Sequence, residues 1–567
     1  MSRIPDCILN LLIGFNNGII IQRTAELESY LIDSTGYRII LKLSSSYEAF
    51  PKTIFWMGKT YYVQDVVVRP QIYYPRDIHG IFTNVQSIKR LYLPYSSAIG
   101  NGVLARNIKT YPCIELLDLR CCFLIKADLI NIFQNFAASL KWLNISGNPA
   151  LGHGVLAATI GAFPNLHKTK IEYINLDSCG LNGDDFRNII QKFSKSLRGL
   201  DLSRNTSLRG ILETEIFKLS DINQYLLEYL NLSYCRLTRK DIQMVMSNFF
   251  PNLKSLNIGL NSELMTGIIT DKLTRDKKVR LLELNLEACM LVGEDLRQVF
   301  QSCCHLERLN IASNTQLGGG VTGNVIKEIP VCSKIYDLNI YNCFLNHEDI
   351  KNIMLKLAKN LKRIDFGMNC DIGNGLFAEV LQTLPFKKIP LEQLRMVNCM
   401  LNANDFKYIL LILSDRLKYL DLGENIMLGG GNMALILNQT CIGNISHLKI
   451  LMLAFCNLNC EDLEYIFIKF GKYITCLDIK NNLTLGNGQL TKMLCRISKQ
   501  YCQLDGIDLT GCDLNSQDER SVAHKFGNVL WHLDPQDNKW KSFNHFEYLQ
   551  NNTLSIVNIP KSCCIIL

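Results

Sequence analysis

From Ile88 onward one pattern of apolar positions recurs along the chain. Leu140-x-x-Leu143-x-Ile145-x-x-Asn148 places apolar residues at positions one, four and six, and a small polar residue at position nine. Ile171, Ile174, Leu176 and Cys179 repeat the spacing, as do Leu197, Leu200, Leu202 and Asn205. The pattern runs on to Leu504, Ile507, Leu509 and Cys512, about sixteen copies in all. Apolar residues at positions four and six, alternating with polar neighbours, predict a short strand with one buried face.

The ninth position alternates between two residue types. Asparagine stands at Asn148, Asn205, Asn261, Asn314, Asn369, Asn425 and Asn482. Cysteine stands at Cys122, Cys179, Cys235, Cys289, Cys343, Cys399, Cys456 and Cys512. The step from Cys to the next Asn is 26 residues six times and 25 once, and the step from Asn to the next Cys is 28 to 31. Two interleaved ladders with two step lengths define a superunit of about 56 residues.

Each half of the superunit has its own tail. A glycine turn follows the Asn, as in Leu317-Gly318-Gly319-Gly320 and Leu428-Gly429-Gly430-Gly431. Leu-Asn-x-x-Asp follows the Cys, as in Leu181-Asn182 with Asp185, and Leu345-Asn346 with Asp349. Asn followed three residues later by an acid predicts a helix N-cap with a negative first turn. Helical spacing then follows in Phe186, Ile189, Ile190, Phe193 and in Ile350, Ile353, Met354, Leu357. The ninth-position Asn can satisfy backbone groups where the chain leaves the strand, and Cys can replace it as a small, weakly polar, buriable group. No coil covers its own apolar face, so neighbours must stack.

This two-type ladder resembles the ribonuclease-inhibitor class of leucine-rich repeats over roughly residues 88–530. The resemblance implies an α/β fold: a leucine-rich repeat solenoid, or horseshoe, with a parallel concave sheet, outer helices and a small mixed N-terminal cap. The expected organisation is an α+β cap over 1–87, the repeats over 88–530, a C-terminal cap over 531–550 and a flexible tail over 551–567. Tyr37 to Leu43 reads as a strand and Thr53 to Val68 as a hairpin turning near Gly58. Trp531, Trp540, Phe543 and Phe546 are placed to close the far end.

Composition narrows the class. With 48% hydrophobic and 20% charged residues the chain is built to fold. Its net charge of +8 over 567 residues does not single out a nucleic-acid binder. No apolar run reaches the roughly 18 residues of a membrane span. Cys7 to Phe15 is too short and carries no evident cleavage site, so no secretory signal is expected. The seven Asn-x-Ser/Thr sequons are without meaning in a cytosolic protein. The 22 cysteines are then expected as thiols, eight of them on the ladder.

The chain ends Cys563-Cys564-Ile565-Ile566-Leu567. Cys564 with two aliphatics and a terminal residue forms a C-a-a-X box, and terminal Leu favours geranylgeranyl. A prenyltransferase would modify Cys564, and removal of the last three residues with carboxyl methylation would follow. One lipid anchors weakly, so Cys563 is the candidate second site, by palmitoylation.

Several apparent sites dissolve against the repeat. The glycine turns recur with the ladder, so they are backbone turns and no phosphate loop. His347-Glu348 is not H-E-x-x-H, and Cys303-Cys304-His305 lacks a second ligand pair. No catalytic residue, metal or cofactor is expected. The position between the two inward apolar residues forms a column from Asp118, Asn144 and Asn175 to Asp365, Arg395, Asp421, Met452, Asp478 and Asp508. Its Asn and Asp are usual for this repeat class, which explains them better than an acidic binding track does. Two residues earlier the row is more varied. There Trp142, Tyr173 and Tyr229 mark one patch and Arg308 and Arg363 another, with Tyr419 beyond, all residue types that anchor interfaces.

The expected function is a non-enzymatic scaffold or adaptor that binds a protein on its concave face. It would be lipid-held on the cytoplasmic side of a membrane, with a cytosolic pool, and bind neither nucleic acid nor a small-molecule substrate. Two alternatives stand beside it. The repeat class also resembles that of the Ran GTPase-activating proteins, although their long acidic C-terminal run is missing. Ile4 to Leu9 resembles the opening of an F-box, which implies a ubiquitin-ligase substrate receptor binding an Skp1-type adaptor.

Overall fold

The computed structural model describes residues 19–23, 37–42, 53–56, 59–62, 65–67, 89–97, 99–107, 114–163, 169–210, 226–249, 252–262, 280–329, 334–385, 389–439, 446–501, 504–526 and 530–532. The chain divides into two compact units, Met1–Leu264 and Met265–Val557. Each is an α/β leucine-rich repeat solenoid of three-residue parallel strands alternating with helices.

In the first unit the repeat strands run from Arg90–Tyr92 through Leu116–Asp118, Trp142–Asn144, Tyr173–Asn175, Gly199–Asp201 and Tyr229–Asn231 to Ser255–Asn257. Neighbours pair in parallel and in register: Leu143 lies opposite Leu117 and Ile174. Ahead of them, Ile19–Arg23 pairs antiparallel with Tyr37–Lys42. The expected hairpin forms between Thr53–Trp56 and Lys59–Tyr62, with Trp56 opposite Lys59. It ends earlier than its sequence pattern. Asp65–Val67 leaves it and lies parallel between Tyr37–Lys42 and Arg90–Tyr92, so the N-terminal strands extend the repeat sheet.

The second unit carries strands from Glu283–Asn285 to Gly506–Asp508 in the same parallel register, and Leu530–His532 adds one more beyond them. Helices after each Cys position, such as Gly293–Ser302, His347–Leu357 and Cys460–Phe470, are 10 or 11 residues long, and those after Asn positions, such as Leu376–Thr383, are 8. The shorter helix lies in the longer step, which also holds a 3-10 turn such as Cys370–Ile372 and the glycine turn.

The core of each coil is the predicted one. Leu140, Leu143 and Ile145 are buried, as are Leu417, Leu420 and Leu422, against helix residues such as Phe186, Ile189 and Phe406, Ile409. A strand that buries only its alternate residues needs the next coil to cover its ends, and the ladder residues make those contacts. Asn425 Oδ1 accepts the amides of Cys399 and Leu401 at 3.0 and 2.9 Å, and its Nδ2 donates to the carbonyl of Met396 at 2.7 Å and to those of its own coil. Asn148 does the same with Cys122, Leu124 and Leu119. The cysteines likewise point back to the preceding coil: Cys399 Sγ donates to Phe366 O at 3.2 Å and Cys179 Sγ to Ile145 O at 3.2 Å. The two residue types thus do one task in opposite ways. The amide both gives and accepts, whereas the thiol only gives.

A second cross-link is hidden in the Leu-Asn-x-x-Asp tail. Asn402 caps its helix by accepting from Asp405 N, as the spacing predicts. The Asp405 carboxylate is fully buried and also reaches the preceding coil, accepting from Gly375 N at 2.8 Å and Ala378 N at 2.9 Å. Asp185 repeats this with Gly154 and Ala157, and Asp462 with Gly431 and Ala434. The acid therefore staples the first turn of its own helix to the helix start before it. The glycine turn is what permits the approach. A Cβ on Gly373 would lie 2.2 Å from Cys399 O, and Gly375 holds φ +94.

Candidate functional site

The sheet face presents three rows of side chains, and their hydrogen bonds separate structural from available groups. In the column between the inward apolar residues, thirteen of the fifteen residues are Asn or Asp whose Oδ1 accepts the amide two residues on. Representative distances are 3.1 Å for Asn144 to Ser146 N and 2.9 Å for Asp365 to Gly367 N. At this point the strand has ended and the amide has lost its ladder partner, so a short acceptor side chain is what the backbone requires. The column is scaffold, as its residue types suggested.

Two residues break it, and both lie in the second unit. Arg395 and Met452 cannot accept a hydrogen bond in this way. They flank Asp421 in register, one on each neighbouring strand. Arg395 Nη1 bonds Asp365 Oδ2 at 2.6 Å and its Nε bonds Asp421 Oδ2 at 3.2 Å. Burial opposes its charge, but the two carboxylates outweigh that and hold its pKa above the ordinary value. Burial raises Asp365, with Arg395 pulling the other way. The hydroxyl of Tyr419 lies 3.3 Å from Asp421 Oδ2 and 2.8 Å from Met452 Sδ. Reading the column for rule-breakers, instead of for its majority, would have singled out Arg395 and Met452 from sequence.

The more varied row also resolves. In the first unit Trp142 and Tyr173 are opposite one another on adjacent strands. Tyr229 follows two strands on, across Gly199. Tyr173 lies over that glycine, where a Cβ would fall 2.3 Å from its Cδ1. All three aromatic residues are half-buried, and burial raises the pKa of both tyrosines. The structure therefore gathers the predicted aromatic patch. In the second unit Arg308 is ion-paired with Glu283 on the neighbouring strand, and Arg363 with Asp337 at 3.4 Å. These two arginines are partly neutralised within the face by acids of the same row. Tyr419 lies beyond them beside Met452.

The strand entries of the first unit form a charged edge. Lys141 pairs with Glu115 at 2.9 Å, and Glu228 is held between Arg198 at 3.1 Å and Lys254 at 2.9 Å. Its residues are largely exposed.

The ladder cysteines are buried thiols. Burial pushes Cys179, Cys343 and Cys456 up to about 12, so they stay protonated and keep donating. No cluster of three or more His, Cys, Asp or Glu able to hold a metal occurs among the described residues. Among those residues no helix is long and apolar enough to cross a membrane. Cys563 and Cys564 lie outside the described residues, as do Ile4 to Leu9, Trp540, Phe543 and Phe546. Trp531 contributes its backbone to the strand Leu530–His532.

No family model matches the chain. NLR family CARD domain-containing protein 4 from Bos taurus is 29% identical over 234 residues, covering 39% of this chain and 22% of that protein. The Mus musculus protein of the same name is 26% identical over 228 residues, covering 39% of this chain and 21% of the relative. The chain thus spans about a fifth of the length of these curated relatives. Among solved structures, a chain of the Rad7 and Elc1 complex in yeast aligns with a TM-score of 0.35 and 14% identity, over 61% of this chain and 77% of that one.

Proposed function

We propose that this leucine-rich repeat protein is a non-enzymatic scaffold whose sheet faces bind other proteins, held by a lipid on Cys564 at the cytoplasmic face of a membrane. The observation that carries the binding reading is the division of labour on the face. The Asn/Asp column is used up by the backbone, and half-buried Trp142, Tyr173, Tyr229 and Tyr419 are left standing beside it. Large amphipathic side chains on a rigid sheet lose little entropy on binding and make good anchors. Arg308 and Arg363 contribute to specificity more than to affinity, because their acidic neighbours already pair with them.

The tether rests on the last four residues, Cys564 to Leu567, whose spacing and residue types fit a prenyltransferase substrate. Confining the solenoid to a surface raises its effective concentration toward partners on that surface. The test is fractionation of tagged protein from a eukaryotic cell, with proximity labelling of wild type and Cys564→Ser side by side. The substitution is expected to move the protein into the soluble fraction and change its labelled neighbours. Membrane association equal to wild type removes the anchor. Labelled neighbours unaffected by a combined Trp142→Ala and Tyr229→Ala variant remove the first unit's patch as an interface.

A further inference from the structure

Across the second unit, the column reads Asp365, Arg395, Asp421, Met452, Asp478, Asp508, each residue opposite the next in register. Two gaps of the same geometry sit side by side. In the first, between Asp365 and Asp421, Arg395 reaches both carboxylates with separate nitrogens. In the second, between Asp421 and Asp478, the chain supplies Met452, which has no charge and no donor. Asp478 is 2% exposed; its Oδ1 accepts Lys480 N at 3.0 Å, and its other oxygen accepts no hydrogen bond from the described residues. A carboxylate this deep normally has a cation or further donors. Burial pushes Asp478 up to about 6, with Asp508 and Asp421 adding to the rise and Lys480 opposing it.

We propose that the gap over Met452 is a seat for an arginine side chain of a protein partner, with the guanidinium bridging Asp421 and Asp478 and packed on the Met452 thioether beside Tyr419. The occupant's chemistry follows from the neighbouring gap. Arg395 shows that a planar fork spans two aspartates placed two strands apart, roughly 9–10 Å at sheet spacing. An ammonium is a compact point donor and cannot reach both sides. The thioether gives the guanidinium a polarizable surface, and half-exposed Met452 leaves that side of Asp478 open to an incoming group. The seat deepens the protein-binding reading of this face and rests on it.

The test uses the full chain with carbon-13-labelled methionine methyls, the Met452 signal being assigned by its loss in Met452→Leu. Acetyl-arginine amide is titrated in, with acetyl-lysine amide and the uncharged isostere acetyl-citrulline amide as controls. The arginine probe is expected to shift the Met452 signal saturably. Citrulline is expected to leave it in place, and Asp478→Asn to weaken the arginine response about ten-fold. Met452→Arg, which fills the gap from within, is expected to raise the urea midpoint. An equal response to arginine and citrulline overturns the seat, and so does an unchanged affinity in Asp478→Asn. No partner protein enters this titration, so its failure removes the seat whatever the labelling experiment returns.

Discussion

The sheet faces of the two units share one backbone plan and differ in what their side chains do with it. In the first unit the column is Asn or Asp from Asp118 to Asn257, and the cations come from the edge or from the turn after the strand, as in Lys141 with Glu115, Arg120 with Asp118 and Arg204 with Asp177. Aromatic side chains fill the face beside that column. In the second unit the cations stand on the strands themselves, in Arg308 with Glu283, Arg363 with Asp337, and Arg395 between Asp365 and Asp421. The difference shows that the ladder and the capping column fix the scaffold, while the remaining row is free to specialise. It also shows the condition for breaking the column. Arg395 is tolerated because two carboxylates hold it, and Met452 is tolerated at the expense of Asp478.

The largest expected effect tests what the units share. Cys399→Asp and Cys179→Asp each bury a carboxylate where a thiol donates to a carbonyl, with no cation to meet it. Both are expected to lose on the order of 3–5 kcal/mol in urea unfolding. A small loss in one unit and a large one in the other would break the equivalence of the ladders. Arg395→Met sharpens the contrast, because it gives the strand Gln393–Arg395 the column residue that Ile450–Met452 carries. It leaves Asp365 and Asp421 without their cation, and about 1–3 kcal/mol is expected to go at neutral pH. Much of that returns in acid, when Asp365, whose pKa burial raises, takes up a proton.

Asp478→Asn probes the cost of the other break. Because burial raises the folded pKa of Asp478 to about 6, above the ordinary 3.8, the native state holds the proton more tightly than the unfolded chain. Its contribution to stability is therefore fullest in acid and falls as pH rises from about 4 to about 6. Asn keeps the acceptor for Lys480 N and sheds the charge, so the variant is expected to gain on the order of 1–2 kcal/mol above pH 6. Its unfolding midpoint should also flatten across that window, as read by urea melts at several pH values. The smallest effect belongs to the first unit's edge. Glu228→Gln loosens exposed pairs with Arg198 and Lys254, and roughly 0.5 kcal/mol or less is expected, disappearing in high salt.

Much of the scaffold was legible in the sequence. Position nine named the ladder residues, and the structure gives each type its bonds: Asn425 to Cys399 N and Leu401 N, Cys399 to Phe366 O. The spacing Asn402 to Asp405 named the helix cap. What it could not show was that Asp405 also holds Gly375 and Ala378 of the coil before, since those partners are 30 and 27 residues away. The face was legible only by residue type. Trp142 and Tyr173 stand on adjacent strands with Tyr229 two strands on, and Arg308 and Arg363 pair with Glu283 and Asp337 of the same row.

The sequence alone determined the repeat, its two alternating coil types and the residues buried in each, because a strand and a helix too short to stand alone must follow one apolar spacing. Only the tertiary structure decided which side chains meet across coils. A pair such as Arg395 and Asp421 is 26 residues apart along the chain and adjacent in the sheet. That adjacency is a property of how coils stack, and it alone separates an arginine already engaged from a carboxylate still waiting for one.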